Sequence, residues 1–202
     1  MTLTGIVSGG ALRKGGAGTL VLTGTNTYSG GTKVAGGTLS IGADTALGTA
    51  GTGVGLAGGG LHVSETFATS RPFALTTTDS DPFIDVDSAK TLTLNGIVSG
   101  GALDKEGAGT LVLNGANTYA KTTIAGGVLV GNAKSIGGDI SFEPADTPVS
   151  VTFDQRFDGT FGGAITGAGS LLKTNRGALT LKGDNTYSGG TTVENGSLVG
   201  TS

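Results

Sequence analysis

One histidine and no cysteine leave any chemistry in this chain to His62, to hydroxyl groups and to carboxylates. His62 stands in Leu61-His62-Val63-Ser64, alternating with apolar neighbours as an exposed strand residue does. A hydrolytic triad needs a nucleophile, a base and an orienting acid, and neither a Gly-x-Ser-x-Gly nor a Gly-Asp-Ser-Gly block accompanies the imidazole. The carboxylates gather in two groups, Asp79, Asp81, Asp85 and Asp87, then Glu143, Asp146, Asp154 and Asp158. Paired acids cleave glycosidic bonds when one acts as acid and the other as base or nucleophile. Here no histidine or Arg/Lys constellation stands with them. The Asp79-x-Asp81 and Asp85-x-Asp87 pairs suit a hard cation such as calcium in oxygen type alone, since they match neither the EF-hand loop nor the Gly-Gly-x-Gly-x-Asp repeat. Charge on solvated strand edges, which also discourages stray pairing, accounts for them. No catalytic residue, no metal ligand and no cofactor site is expected.

The elements that carry these residues must be built from unusual material. Of 202 residues 41 are glycine, only 13% are charged and 5% aromatic, and tryptophan is absent. A conventional interior of large aromatic side chains is therefore excluded. The glycines alternate with Val, Ile, Leu and Thr rather than Ser, Gln and Pro, which argues against disorder, and no three-residue glycine period supports a collagen. Twelve basic against fifteen acidic residues give a net charge of -3, the wrong sign for a surface that tracks phosphates, so no nucleic acid is expected as a partner. No apolar run is long enough to span a bilayer, and no membrane insertion of this segment is expected. The absence of cysteine excludes disulfides.

One phrase occurs three times, beginning at Gly15-Gly16-Ala17-Gly18-Thr19-Leu20-Val21-Leu22, at Glu106-Gly107-Ala108-Gly109-Thr110-Leu111-Val112-Leu113 and at Asn175-Arg176-Gly177-Ala178-Leu179-Thr180-Leu181. Each copy continues through an Asn-Thr-Tyr, at Asn26 and Tyr28, Asn117 and Tyr119, and Asn185 and Tyr187, to a Gly-x-Leu at Leu39, Leu129 and Leu198. A stretch like Gly-Ile-Val-Ser-Gly-Gly precedes each, marked by Ile6, Ile97 and Ile165. The copies span approximately residues 5–42, 96–131 and 164–200. The asparagines lie 91 and 68 residues apart, which divides into four and three units of about 23 residues, a solenoid period. Leu-x-Leu at period two points Leu20 and Leu22, Leu111 and Leu113, Leu179 and Leu181 inward. Runs this short, bounded by Gly, Asn and Ser, are strands rather than helices. The reading is all-β, a single parallel β-helix over residues 1–202 with about nine coils and a rod of order 40 Å.

Within that frame the remaining sets read as structure. Ladders of Thr and Asn along the rod explain the threonine content. Thr2/Thr4, Thr25/Thr27 and Thr91/Thr93 do not recur once per coil as an ice-binding face requires, and Gly15-Gly16-Ala17-Gly18 lacks the strand-to-helix context of a phosphate cradle. Tyr28, Tyr119 and Tyr187 hold one repeat position and are expected to pack locally rather than form a glycan-binding row. Lys14, Lys105 and Lys173 also correspond, and read as solubilising corners. Residues 43–48 and 133–137 are expected to leave the coil as turns or a single helical turn. Residues 65–90 and 143–158 hold all four prolines, most of the phenylalanines and most of the acids, and are expected to be loops, edges or side excursions.

The phrase from Gly16 through Thr32, closed by Gly37-Thr38-Leu39, resembles the passenger-associated transport repeat of bacterial type V autotransporters. Arg71-Pro72-Phe73-Ala74-Leu75 and Phe83-Ile84-Asp85-Val86-Asp87 also look like passenger sequence. The second copy departs from the pattern at Ala120-Lys121-Thr122, and the third at Asn175. The resemblance implies a right-handed parallel β-helix, secreted through the Gram-negative outer membrane and displayed at the cell surface, whose folding helps draw the passenger outward. Its implied partner is the translocator barrel of its own full-length chain. No signal peptide and no barrel are present, so the expectation is a passenger fragment: a structural stem that supports its own folding and export and displays adhesive or effector regions. The alternatives are a rod that self-associates or adheres to a host surface by its own faces, and a glycan-acting enzyme using the two acidic groups. Open strand edges at both ends are expected to favour end-to-end stacking.

Overall fold

The structure, a computed structural model, describes residues 1–200. It is a parallel β-solenoid of about 10 turns. Short strands such as Thr19–Leu22, Gly37–Ile41, Gly59–Val63 and Phe83–Val86 stack in register, each a coil above the last. A second face carries Phe67–Thr69, Thr91–Leu94, Thr110–Leu113, Val128–Gly131, Ser150–Asp154, Ser170–Thr174 and Thr191–Val193. A third begins with Leu12–Lys14, Thr32–Val34, Val54–Ala57 and Phe73–Thr76, and the long strand Val98–Glu106 bends around a corner to join it to the first. Connections between parallel strands run around the coil, so a ladder forms only between neighbouring coils.

The interior is a set of aliphatic columns. Leu39, Leu61 and Ile84 sit above one another, as do Leu92, Leu111, Leu129, Val151 and Leu171, all essentially without exposed surface. Each such side chain gains about 1.5–3 kcal/mol on burial, and gains it only when the coils above and below are in place. Phe153 and Phe161 meet edge to face at 5.1 Å, an aromatic pair within the same column system.

Coil length varies from 18 residues between Ile124 and Phe142 to 25 between Phe142 and Gly167. The ladder shows that the repeat separations are not whole numbers of coils. Four coils carry Leu20 through Leu39, Leu61 and Ile84 to Lys105, and Leu111 begins the next face. Three coils carry Leu111 to Leu171, and Leu179 again lies one face further. Successive copies are therefore turned by one face of the prism. The lead-in is also offset in the third copy, where Ile165 rather than Ala164 corresponds to Val7 and Val98, as the asparagine bonds described below establish.

Asp44–Leu47 forms a 3-10 turn with Ala46 and Leu47 buried, and 133–136 a turn, as expected of both excursions. The expectation for residues 65–90 needs correction. Phe67–Thr69, Phe73–Thr76 and Phe83–Val86 are laddered strands, and only the short stretch around 77–82 leaves the stack. Pro72 and Pro82 stand immediately before strands, where a missing N–H breaks no ladder. In the other segment, 143–148 projects into solvent while Ser150–Asp154 is a full ladder strand.

Candidate functional site

The leucines of the repeat point inward as the spacing requires: Leu22, Leu111, Leu113, Leu179 and Leu181 are buried, and Leu20, in the outermost coils, is partly so. The asparagines are fasteners between coils. Asn26, Asn117 and Asn185 accept through Oδ1 from the N–H of Val7, Val98 and Ile165 in the preceding coil at 2.8, 2.7 and 3.0 Å. Through Nδ2, Asn26 and Asn117 donate 2.7 Å bonds to Ala46 O and Ser135 O on the excursions of the following coil. Asn185 Nδ2 donates instead to Gly183 O at 2.6 Å. The tyrosines pack locally. Tyr28 and Tyr119 are buried, each hydroxyl bonded to a threonine, Thr32 and Thr122, and burial pushes both phenols up. Tyr187 pairs likewise with Thr191 at 2.6 Å. Because the copies are turned, the three rings lie on different faces and form no row.

The lysines overturn the reading of solubilising corners. Lys14 is 7% exposed, Lys105 and Lys173 0%. Each ammonium donates to two carbonyls of the corner that follows it and one of the next coil. Lys14 bonds Gly15 O, Gly16 O and Gly36 O at 3.0, 2.7 and 2.8 Å. Lys105 bonds Glu106 O, Gly107 O and Gly126 O at 2.5, 2.8 and 3.1 Å, and Lys173 bonds Thr174 O, Asn175 O and Asn195 O at 2.7, 2.6 and 3.0 Å. The three donors of the group are thus used in full. Burial lowers Lys105 to about 8 against the opposing pull of Asp85 and Glu106, and lowers Lys173 as well. The sequence signal was present: each lysine precedes its asparagine by 12 residues in all three copies.

His62 is not a plain surface histidine. Its Nδ1 lies 2.9 Å from Ser40 Oγ and its Nε2 3.1 Å from Asp87 Oδ1, with a quarter of its side chain exposed. Spacings of 22 and 25 residues conceal this triplet in the sequence, since a coil separates each member from the next. Ser40 is buried in mid-strand, laddered to Val21 and His62 on either side. Its backbone surroundings serve the ladder rather than an oxyanion.

The eight carboxylates singled out in the sequence are dispersed among separate contacts. Asp81 pairs with Lys121 at 3.0 Å, which holds it below the ordinary range, and Asp87 pairs with His62. Asp154 receives Asn175 and lies 3.8 Å from Arg156, while Asp158 accepts from Ala178 N at 2.8 Å. Asp79, Glu143 and Asp146 are exposed. Asp85 adjoins Glu106 in register, and burial, with Asp85 and Asp104 adding to it, raises Glu106; Asp104, not anticipated, is likewise raised by burial. Among the described residues no group of three or more His, Asp or Glu side chains is arranged to hold a metal ion. A further unanticipated fastener is Arg71, which is buried and reaches Asp44, Gly48 O and Thr49 O at 2.7, 2.7 and 2.8 Å, tying the 3-10 turn to the next coil. Burial alone would push Asp44 up, yet the Arg71 guanidinium holds it below its ordinary value.

Comparison with known proteins agrees with this architecture. The family model described as passenger-associated transport repeat matches residues 12–41, 103–130 and 171–199. The chain is 39% identical over 212 aligned positions to a protein of Brucella suis biovar 1 (strain 1330) described as adhesin BmaC autotransporter, an alignment covering 97% of this chain and 6% of that relative. The chain thus spans a small part of the length of the relative it matches. No solved structure matches. Kinship of this kind implies export across the Gram-negative outer membrane to the cell surface. The chain belongs to the autotransporter passenger sequences that carry the passenger-associated transport repeat.

Proposed function

We propose that this segment is a length of passenger stem, mechanical rather than enzymatic, whose own folding supports export while it holds adhesive or effector regions away from the membrane. The observation that carries this reading is the fastening of coil to coil. Asn26, Asn117, Lys14, Lys105 and Lys173 each bond a neighbouring coil's backbone. A newly arrived coil therefore finds donors and acceptors already positioned on the coil before it. Addition of a coil satisfies polar groups and buries leucines in one step, so folding runs along the axis. The partner in this reading is the translocator of the same full-length chain.

A second reading makes the rod itself adhesive, drawing on the relative's description as an adhesin. Analytical ultracentrifugation across a wide concentration range separates the two. An elongated monomer at all concentrations is the expected result for the stem, whereas reversible lateral association would transfer the function to the rod's own faces.

A further inference from the structure

The described residues present one exposed aromatic ring, Phe157, 76% accessible in a chain whose other phenylalanines are buried or half-buried. Two complete ladder rungs, Ser170–Thr174 and Thr191–Val193, lie beyond its coil, so its exposure is not that of a terminal coil. Its backbone is fixed from several sides. The buried Gln155 donates from Nε2 to Phe157 O at 2.7 Å, and Gln155 O accepts from Gly177 N at 2.9 Å. Asp158 Oδ1 takes Ala178 N at 2.8 Å. Gly177 lies so close that a Cβ there would meet the Phe157 carbonyl carbon at 2.5 Å. The backbone that presents this apolar ring to water is thus pre-organised, which lowers the entropic cost of a ligand meeting it.

Phe157 divides two hollows. One, of about 400 Å³, is edged by Asn114, Asn132, Lys134, Asp154, Asp158 and Arg156, which it shares with the other. The other, of about 480 Å³, is edged by Arg156, Asn175, Arg176 and Asn195. Both fall in the size range of small-molecule sites. Asn114 and Asn175 spend Nδ2 on Asn95 and Asp154, and Asn132 spends Oδ1 on two backbone N–H groups. The opposite atom of each carboxamide is left to meet the hydroxyls of a sugar, and an aromatic face receives the C–H side of a pyranose. The second hollow contains two guanidiniums and no carboxylate of its own, Arg156 lying 3.8 Å from Asp154 on the edge of the first. Arg176 has no ion-pair partner among the described residues, and a free guanidinium fork suits a carboxylate or sulfate.

We propose that Phe157 and the two hollows beside it form a binding subsite for an acidic saccharide, the anionic unit against Arg156 and Arg176 and a neutral unit in the first hollow. This goes beyond the stem role, which requires no ligand. The test is titration calorimetry of the 202-residue protein with an oligogalacturonate, a sulfated oligosaccharide, a neutral malto-oligosaccharide and a hexaglutamate peptide. At least one acidic saccharide is expected to bind roughly tenfold more tightly than the neutral one. Phe157→Ala should weaken saccharide binding by roughly tenfold, Phe157→Trp should preserve it, and Arg176→Gln should remove the acidic preference alone. Both residues are exposed, so thermal unfolding of the variants should match that of the parent. The oligogalacturonate and sulfate arms identify which anion is read. Equal affinity for acidic and neutral saccharides, undiminished binding by Phe157→Ala, absence of saturable binding in every arm, or hexaglutamate binding as tightly as the saccharides would each overturn the proposal, the last in favour of a peptide.

Discussion

Lys105 concentrates the physical logic of the rod into one side chain: a buried ammonium whose three partners are backbone carbonyls from two coils. Lys105→Met leaves those carbonyls without donors and should cost about 3 kcal/mol at neutral pH, read by denaturant unfolding. Its pH dependence has a definite sign. Burial lowers the group from 10.5 to about 8, so between those values the unfolded chain binds the extra proton, and stability rises with pH across that window. The parent should gain relative to Lys105→Met from pH 8 to 10.5. Asn117 tests the same idea with a neutral group. Asn117→Ala orphans Val98 N and Ser135 O and should cost about 2 kcal/mol. Asn117→Asp keeps the acceptor for Val98 N but sets an acceptor-only carboxylate oxygen against Ser135 O, so its loss should be at least as large at neutral pH and shrink as the carboxylate is protonated. The inward leucines were legible because period-two spacing is local. The lysines were misread because their partners are carbonyls, which no side-chain pattern advertises, and the Ser40–His62–Asp87 triplet was hidden because its members come from three different coils.

At the level of the coil, two features decide where a strand ends and the next begins. Gly37, Gly127 and Gly196, the glycines of the Gly-x-Leu step, all adopt positive φ, at 63°, 62° and 72°. A Cβ on Gly127 would lie 2.2 Å from Gly109 O. Gly127→Ala should therefore destabilise by more than the ~1–2 kcal/mol of a left-handed residue alone, and thermal unfolding followed by circular dichroism measures it. The second feature is the fastened excursion, in which Arg71 holds residues 44–49 and Gln155 accepts from Ala133 N. Short leucine runs between glycines were enough to identify the strands. Phenylalanine and proline in residues 65–90 suggested departure from the coil, yet Phe73 is buried within the ladder and Phe83 occupies the space left open by Gly60.

The whole molecule is a three-faced prism in which each repeat copy begins one face further round than the last. This arrangement places Lys14, Lys105 and Lys173 on separate faces, so the fastenings brace the rod on all sides rather than along one seam. Equal division of 91 and 68 residues concealed the turn, because a shorter coil plus one face gives the same separation as a longer coil. A rod whose coils are completed by their neighbours gains stability coil by coil, and that is the property a stem needs if its folding is to assist its own export. The most direct measurement is surface display of the full-length passenger in cells, comparing the parent with Lys14→Met, Lys105→Met and Lys173→Met combined, scored by accessibility to external antibody and by protease resistance. The stem account predicts that the combined variant shows sharply reduced display and a protease-sensitive segment. Display at the parent's level, with the isolated segment shown to be destabilised by the same substitutions, would contradict it.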